Sequence, residues 1–574
     1  MTQNNQEKCI CWSLSGEAMG FLERAGLAGL YMTLTSLDYW IKNGDENAEQ
    51  LSNHLQWSLT DQSISLKWKG DDYQALSPLV NWSWQIIDDI YFLPGIHRTI
   101  DAKEHKYLRI NTHSGLLNTF LQFTGKLTPK AVEKRVNEII TFDQTRPNDS
   151  IKITYRPFEK GQIIRQLQQL TNTCPIFDKK YILKKVEIPG WLYPGSAKRF
   201  SKYESQWEGT SDIAFLLFFS PIASIFVKLP NTKSKKKLRE NWAFIIPEIT
   251  SLEAFQDNFM FIQNEIQTRF DNVDVQGIGD AGLKYATAYA GRAIQKKNPL
   301  NPNIYVVTMG VTNYYSSNPI INPSVRKGIF TIKSSDFSIK RYGIVQKTLQ
   351  NRFLPSNQND DDEKKATHYI KQPTSRGRIT DNLINNDDWY RDIYLVPPWQ
   401  HDSLDEECQW IRKKGETISI ETLWFKKLHD YERRELMSII ENESMWKDQQ
   451  DKIFIEIFHQ TLRSILNQEE EAIKRGGSRK LHERWDDKIE EIRRSLIHAK
   501  TLPLFREFFS KLLAKGGGFM KLTENKKYVW DIINDQIRWQ KARDLAYLGL
   551  VTFTDGRLGK TDPNEKQTLN EGGK

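Results

Sequence analysis

The chain has 574 residues, 39% of them hydrophobic and 27% charged, enough apolar material for sizeable cores, which excludes wholesale disorder, and at roughly 150 residues per domain it allows two to four domains. Lys and Arg number 81 against 72 Asp and Glu, a net charge of +9, so a polyanion is the leading class of partner. Four cysteines are too few for a disulfide framework, and the longest uncharged apolar run, residues 213–227, is broken by Pro221 and too short to span a bilayer.

The first residues, MTQNNQEKC, lack the basic-then-apolar order of a secretory signal, so a cytoplasmic location is expected. Cys9 and Cys11 could give two metal ligands, but no second pair completes a tetrahedral set, and no metal or cofactor is expected. Residues 17–40 read as a helix, with Leu27, Leu30, Tyr31, Leu34 and Leu37 on one stripe. Alternation over 55–70 predicts two half-buried strands, and strands are also predicted from Ile151, from Asn303 and through the whole run 328–345. A helix should begin at Thr250, where T-S-L-E forms a capping box with Glu253.

From residue 354 to 389 the composition turns polar and reads as a loop or linker. Beyond residue 402 the chain is almost all helix. Predicted core stripes are Phe454, Phe458, Leu462 and Ile465; Ile489, Ile492 and Leu496; Leu504, Phe508 and Leu512; and Val529, Ile533 and Ile537, with breaks at Gly476-Gly477, Pro503 and Gly516-Gly517-Gly518. The fold class is therefore α+β: a mixed region with antiparallel sheets over 1–353, a polar linker over 354–401, and a helical bundle over 402–574. Residues 402–574 hold 32 basic and 31 acidic residues, and the first 401 hold 49 and 41, so the basic surplus lies in the N-terminal region.

Enzyme-like patterns fail one by one. Gly277-Ile-Gly279-Asp-Ala-Gly282 matches G-x-G-x-x-G, but a dinucleotide site needs a solid strand before it and an acid about 20 residues after it. Here the later position holds Gln295, Lys296 and Lys297. A tight turn packing a helix on a sheet is the better reading, with a nucleic-acid phosphate at the helix N-terminus as the milder functional one. Gly559-Lys560-Thr561 lacks the earlier glycine of a phosphate loop. Asp336 and Lys340 echo a nuclease pattern without partner acids and read as a solvated strand face. No catalytic site emerges.

The basic clusters say more. Lys233, Lys235, Lys236, Lys237 and Arg239 stand between two apolar strands and read as a hairpin loop that clamps phosphates by counterion release. Lys198, Arg199 and Lys202, interleaved with Phe200 and Tyr203, suit phosphate contact beside base stacking. Lys474, Arg475, Arg479, Lys480, Arg493 and Arg494 form a third group, which the acids of the bundle make a solvated face first and a DNA contact second. The small-residue run Ala25-Gly26-Leu27-Ala28-Gly29 reads as a close-packing surface.

In order along the chain, FLERAGLAGLYMTL (21–34), LRINTHSGLLNTFLQFTGK (108–126), WLYPGSAKRF (191–200) and IIPEITSLEAF (245–255) resemble the large subunit of type I CRISPR effector complexes (Cascade), in the Myxan-type branch of Cas family eight. That resemblance implies a subunit without catalysis of its own. It would recognise the protospacer-adjacent motif (PAM) on duplex DNA and promote unwinding and R-loop formation. It implies a C-terminal bundle like the Cascade small subunit, lying along the displaced strand. The implied partners are crRNA, target double-stranded DNA, and the backbone, handle-binding and small subunits. A helicase-nuclease, or a TniQ-type adaptor where the complex serves an RNA-guided transposon, would act downstream; no membrane is involved. Met437 follows Glu432-Arg433-Arg434-Glu435-Leu436, whose codons can supply a ribosome-binding sequence, so Met437, with Met445 second, is a candidate internal start for a separate small subunit. The alternatives are a nucleic-acid-processing enzyme around Asp336 and Lys340, or a protein-binding scaffold.

Overall fold

The computed structural model describes residues 7–97, 106–121, 136–141, 150–158, 176–188, 208–234, 237–267, 274–296, 303–308, 328–333, 335–355, 368–394, 430–474 and 481–553. They form two compact units. The first comprises residues 1–339 and 351–372, the second 340–350 and 373–574.

In the first unit, β1 (Glu7–Ser13), β2 (Leu55–Leu59) and β3 (Ser63–Lys69) form an antiparallel sheet in the order β1-β3-β2. The 55–70 segment is thus the hairpin its alternation predicts. Helix α1 (Phe21–Lys42) buries Leu27, Leu30, Leu34 and Leu37. Its glycines are there for close approach: a Cβ at Gly26 would stand 2.5 Å from the Leu216 carbonyl oxygen, and one at Gly29 would stand 2.1 Å from that of Phe219. The small-residue run is therefore a packing face against the segment that begins with α6 (Ser211–Leu217).

Helices α2 (Glu46–Ser52) and α3 (Asp72–Ser83) flank this sheet in sequence. After α3, β4 (Gln85–Ile87) and β5 (Ile90–Phe92) pair through Asp88 and Asp89, both at positive φ, as a two-residue primed turn requires. After the short turn α4 (Pro94–His97), helix α5 (Lys106–Asn118) carries a buried polar row that includes Arg109, Thr112 and His113. A second antiparallel sheet runs β10 (Ile225–Ser234), β11 (Lys237–Pro247), β12 (Ile304–Thr308), β13 (Gly328–Ile332). A third runs β14 (Arg352–Pro355), β15 (His368–Lys371), β7 (Ser150–Tyr155), β6 (Val136–Thr141), with one parallel bridge between β15 and β7. β8 (Lys185–Glu187) and β9 (Glu208–Thr210) pair with each other.

Helix α7 (Leu252–Gln267) starts one residue later than its capping box predicts. Ser251 Oγ accepts Ala254 N–H at 3.1 Å, and Asp61 from the β2–β3 turn accepts Glu253 N–H and the Ser251 hydroxyl. A second correction concerns 328–345: only Gly328–Ile332 is strand, and Asp336–Thr348 is helix α9. Ser335 and Ser338 cap it reciprocally, each hydroxyl accepting the other's backbone N–H, at 2.9 and 3.1 Å. That cap overrides the polar–apolar alternation.

In the second unit, the span 354–401 is not simply a linker. It contains β15 of the first unit, α10 (Arg376–Ile384) and the buried aromatics Trp389, Tyr390 and Tyr394. The bundle follows as α11 (Asp430–Glu441), α12 (Gln449–Lys474), α13 (Leu481–His498), α14 (Leu502–Gly516), α15 (Met520–Glu524), α16 (Lys526–Asn534) and α17 (Trp539–Thr552). Phe454, Phe458, Leu462 and Ile465 of α12 are buried as expected. On α14 the buried stripe is Phe505, Phe509 and Leu512, shifted by one from the predicted Leu504 and Phe508, because Phe509 stacks on Phe454 and Phe458 at 5.0 and 6.0 Å. Ile537, predicted as core, lies past the end of α16 and is 85% exposed. Among the described residues, no helix is long and apolar enough to cross a membrane.

Candidate nucleic-acid interface

The lysine-rich hairpin is built on a rigid base. Ile225, Phe226 and Val227 of β10 and Ala243–Ile246 of β11 are buried, Phe244 stacks on Phe120 at 4.5 Å, and a Cβ at Gly115 of α5 would collide with Phe226 at 2.4 Å. Strand β12 pairs with β11 from Ala243 to Pro247. The rest of β11 pairs with β10: Lys228 with Trp242, Leu229 with Asn241, then, across a bulge, Thr232 with Arg239, Lys233 with Leu238 and Ser234 with Lys237. Among the described residues, the part of the hairpin past Thr308 of β12 is a two-stranded arm. It carries Lys233, Lys237 and Arg239 on its strands, while Lys235 and Lys236 fall outside the described residues. Residues 232–239 include five basic side chains and no acid, a composition that binds polyanions and repels cations.

The other predicted clusters fare differently. Lys198, Arg199 and Lys202 lie outside the described residues, as do Arg475, Arg479, Lys480 and the Gly559-Lys560-Thr561 run. Lys474 ends α12. Arg493 and Arg494 both pair with Glu490, Arg494 at 3.1 Å. Burial raises the Glu490 carboxyl, but the two guanidinia outweigh it and hold it below its usual range. Both guanidinia thus engage a carboxylate of their own helix, the Arg494 side chain exposed and the Arg493 side chain largely buried.

The G-x-G-x-x-G segment opens helix α8 (Ile278–Lys296). A Cβ at Gly282 would meet Ile332 at 2.6 Å, so this glycine seats the helix on β13. The phosphate reading is overturned, because the N-terminus is buried and Asp280 fills it, its carboxylate accepting Gln276 N–H at 2.8 Å. Asp336 and Lys340 are exposed on a helix and not on a strand. Cys9 and Cys11 are exposed on β1, with Cys9 Sγ 3.4 Å from Ser65 Oγ. Among the described residues, no group of three or more His, Cys, Asp or Glu could hold a metal ion.

One basic feature is not evident from charge counting. Residues 178–183 form a tight turn in which the Asp178 carboxylate accepts Lys180 and Ile182 N–H at 2.7 and 3.0 Å, and Tyr181 sits at φ +61°. Its root is fixed by Phe177, which stacks on Trp68 at 5.8 Å and donates its N–H to Asp72 at 2.9 Å. The turn presents Lys179, Lys180 and a 61% exposed Ile182 to solvent. The signal was present as D-K-K-Y-I-L-K-K, but without Gly or Pro it does not read as a turn. What makes the turn is an aspartate accepting N–H groups two and four residues on.

Two family models match parts of the chain on either side of the β10–β11 arm. Residues 11–218 match the DevT N-terminal domain, and residues 441–572 match the DevT C-terminal domain. No curated protein matches the chain.

Proposed function

Since the chain carries both the N-terminal and the C-terminal domain of DevT, we propose that it is the large subunit of an RNA-guided Cascade complex, a non-catalytic component that grips duplex DNA beside the target. The observation that carries this reading is the order of the parts. DevT is a Cascade-associated protein, its N-terminal match spans the segments 21–34, 108–126 and 191–200, and its C-terminal match spans the helical bundle. The basic arm of β10 and β11 supports duplex contact through phosphates, and the turn at Lys179 and Lys180 offers a second contact. Sequence choice would then come from guide pairing, with this subunit reading the short flanking motif and starting the R-loop. The partners in this reading are crRNA, target DNA and the backbone, handle-binding and small subunits. A helicase-nuclease or a TniQ-type adaptor acts downstream.

The test is a tagged pull-down from the native host with sequencing of bound RNA and mass spectrometry of bound proteins. Repeat-derived guide RNA together with backbone subunits is the expected result. Recovery of the chain alone, or without such RNA, refutes the reading.

A further inference from the structure

Helix α16 is held firmly from within. It buries Val529, Ile532 and Ile533, and the Tyr528 hydroxyl donates to Asp451 of α12 at 2.8 Å. Asp451 also accepts the Tyr390 hydroxyl at 2.8 Å and pairs with Lys541 at 2.8 Å. The opposite side of α16 faces solvent with Lys526, Lys527 and Trp530, the indole 40% exposed. Residues three and four apart share a helix face, so Trp530 stands on the face that carries both lysines, one turn away. The neighbouring cations are spent on acids: Lys521 pairs with Glu456, Arg538 with Asp535 and Lys541 with Asp451. Among the described residues, Lys526 and Lys527 form no ion pair. The exposed acids Glu524 and Asp531 border the face, which confines the positive charge to these two lysines.

A tryptophan held on a rigid helix, open on one side and one turn from two uncommitted ammonium groups, has the two elements by which single strands are bound without sequence preference. One is an aromatic face for a base and the other is cations for the adjoining phosphates. We propose that Lys526, Lys527 and Trp530 form a stacking platform for unpaired DNA. Resting on the Cascade reading, this strand is the one displaced by the guide, and it meets the bundle on α16 and not at the Glu490-paired arginines of α13.

The test uses the full chain, alone and in its complex, with a fluorescein-labelled oligothymidine titrated at several salt concentrations. Trp530→Ala should weaken binding about tenfold, Trp530→Phe should retain most of it, and neither should alter the salt slope. Lys526→Gln with Lys527→Gln should instead reduce the slope of log K against log salt by about 1.4, at about 0.7 per phosphate contact on a single strand. Unchanged binding by Trp530→Ala overturns the proposal. So does a Trp530→Ala variant that keeps its affinity for DNA but loses another subunit of the complex, which would make the face a protein contact. Guide RNA recovered without a Trp530 effect refutes the platform alone, and a Trp530 effect without guide RNA refutes only the Cascade assignment.

Discussion

His113 shows how a single side chain sets a condition on the first unit. Its Nδ1 accepts the Tyr91 N–H at 3.4 Å, and its Nε2 bonds the Arg156 carbonyl at 2.6 Å. Only the neutral ring with its proton on Nε2 makes both bonds. Burial lowers the imidazole to about 4, with the nearby Arg109 guanidinium acting in the same direction. Between about 4 and the ordinary 6.5 the unfolded chain therefore binds the extra proton, so the contribution of His113 is complete above 6.5 and is lost as pH falls toward 4. Full loss is on the order of 3 kcal/mol. His113→Asn should destabilise the first unit at pH 7, and the gap to the parent in denaturant unfolding should narrow by about 2 kcal/mol at pH 5. A gap independent of pH would show that the ring is not held neutral. The segment around this residue was legible as a familiar string, but its partners lie 22 and 43 residues away, and no local pattern announces them.

At the scale of elements, legibility followed the strength of competing local signals. The 55–70 hairpin and α1 were plain because one period dominates each. Helix α9 was hidden because Phe337 and Ile339 alternate with polar neighbours just after a strand, while Ser335 and Ser338 cap a helix, and the cap wins through real hydrogen bonds. On α14, Leu504 and Phe508 share the four-residue spacing of Phe505 and Phe509. Spacing cannot choose between two overlapping stripes, and the choice falls to the rings of Phe454 and Phe458 on a helix distant in sequence. The β10–β11 hairpin was legible because two apolar strands bracket a charge run too polar to be buried. This arm carries its own prediction. Lys235→Glu, Lys236→Glu and Lys237→Glu together should weaken duplex binding and lower the salt slope by about 0.9 for each phosphate contact removed, with guide loading unchanged. Duplex binding that is unaffected at moderate salt would remove the arm from the interface.

The molecule as a whole assembles its second unit from pieces that the sequence order keeps apart. The Asp544 carboxylate, which burial raises to about 7, accepts the Asp392 N–H at 3.0 Å. Tyr394 packs on Tyr547 at 4.6 Å, Trp389 packs on Trp446 at 5.5 Å, and Glu432 accepts the Ser375 N–H at 2.7 Å. Composition pointed to a bundle over 402–574, but these long-range contacts bring residues 373–394 into it. They also bear on an internal start. The DevT C-terminal match begins at residue 441, between Met437 and Met445, and a product from either would retain α12 to α17. It would lack the residues that cover Trp446, Tyr547 and Asp544, leaving apolar surface and a buried carboxyl open to water. A separate small subunit from this gene should therefore exist bound to the complex and not free. Expression of the gene with a C-terminal tag should give the full-length band and a shorter one that co-purifies with the complex and disappears with Met437→Leu or, if the second start is used, Met445→Leu. A single full-length band, or a short one indifferent to both substitutions, would mean that Met437 and Met445 serve only the packing of α11 and the turn that follows it.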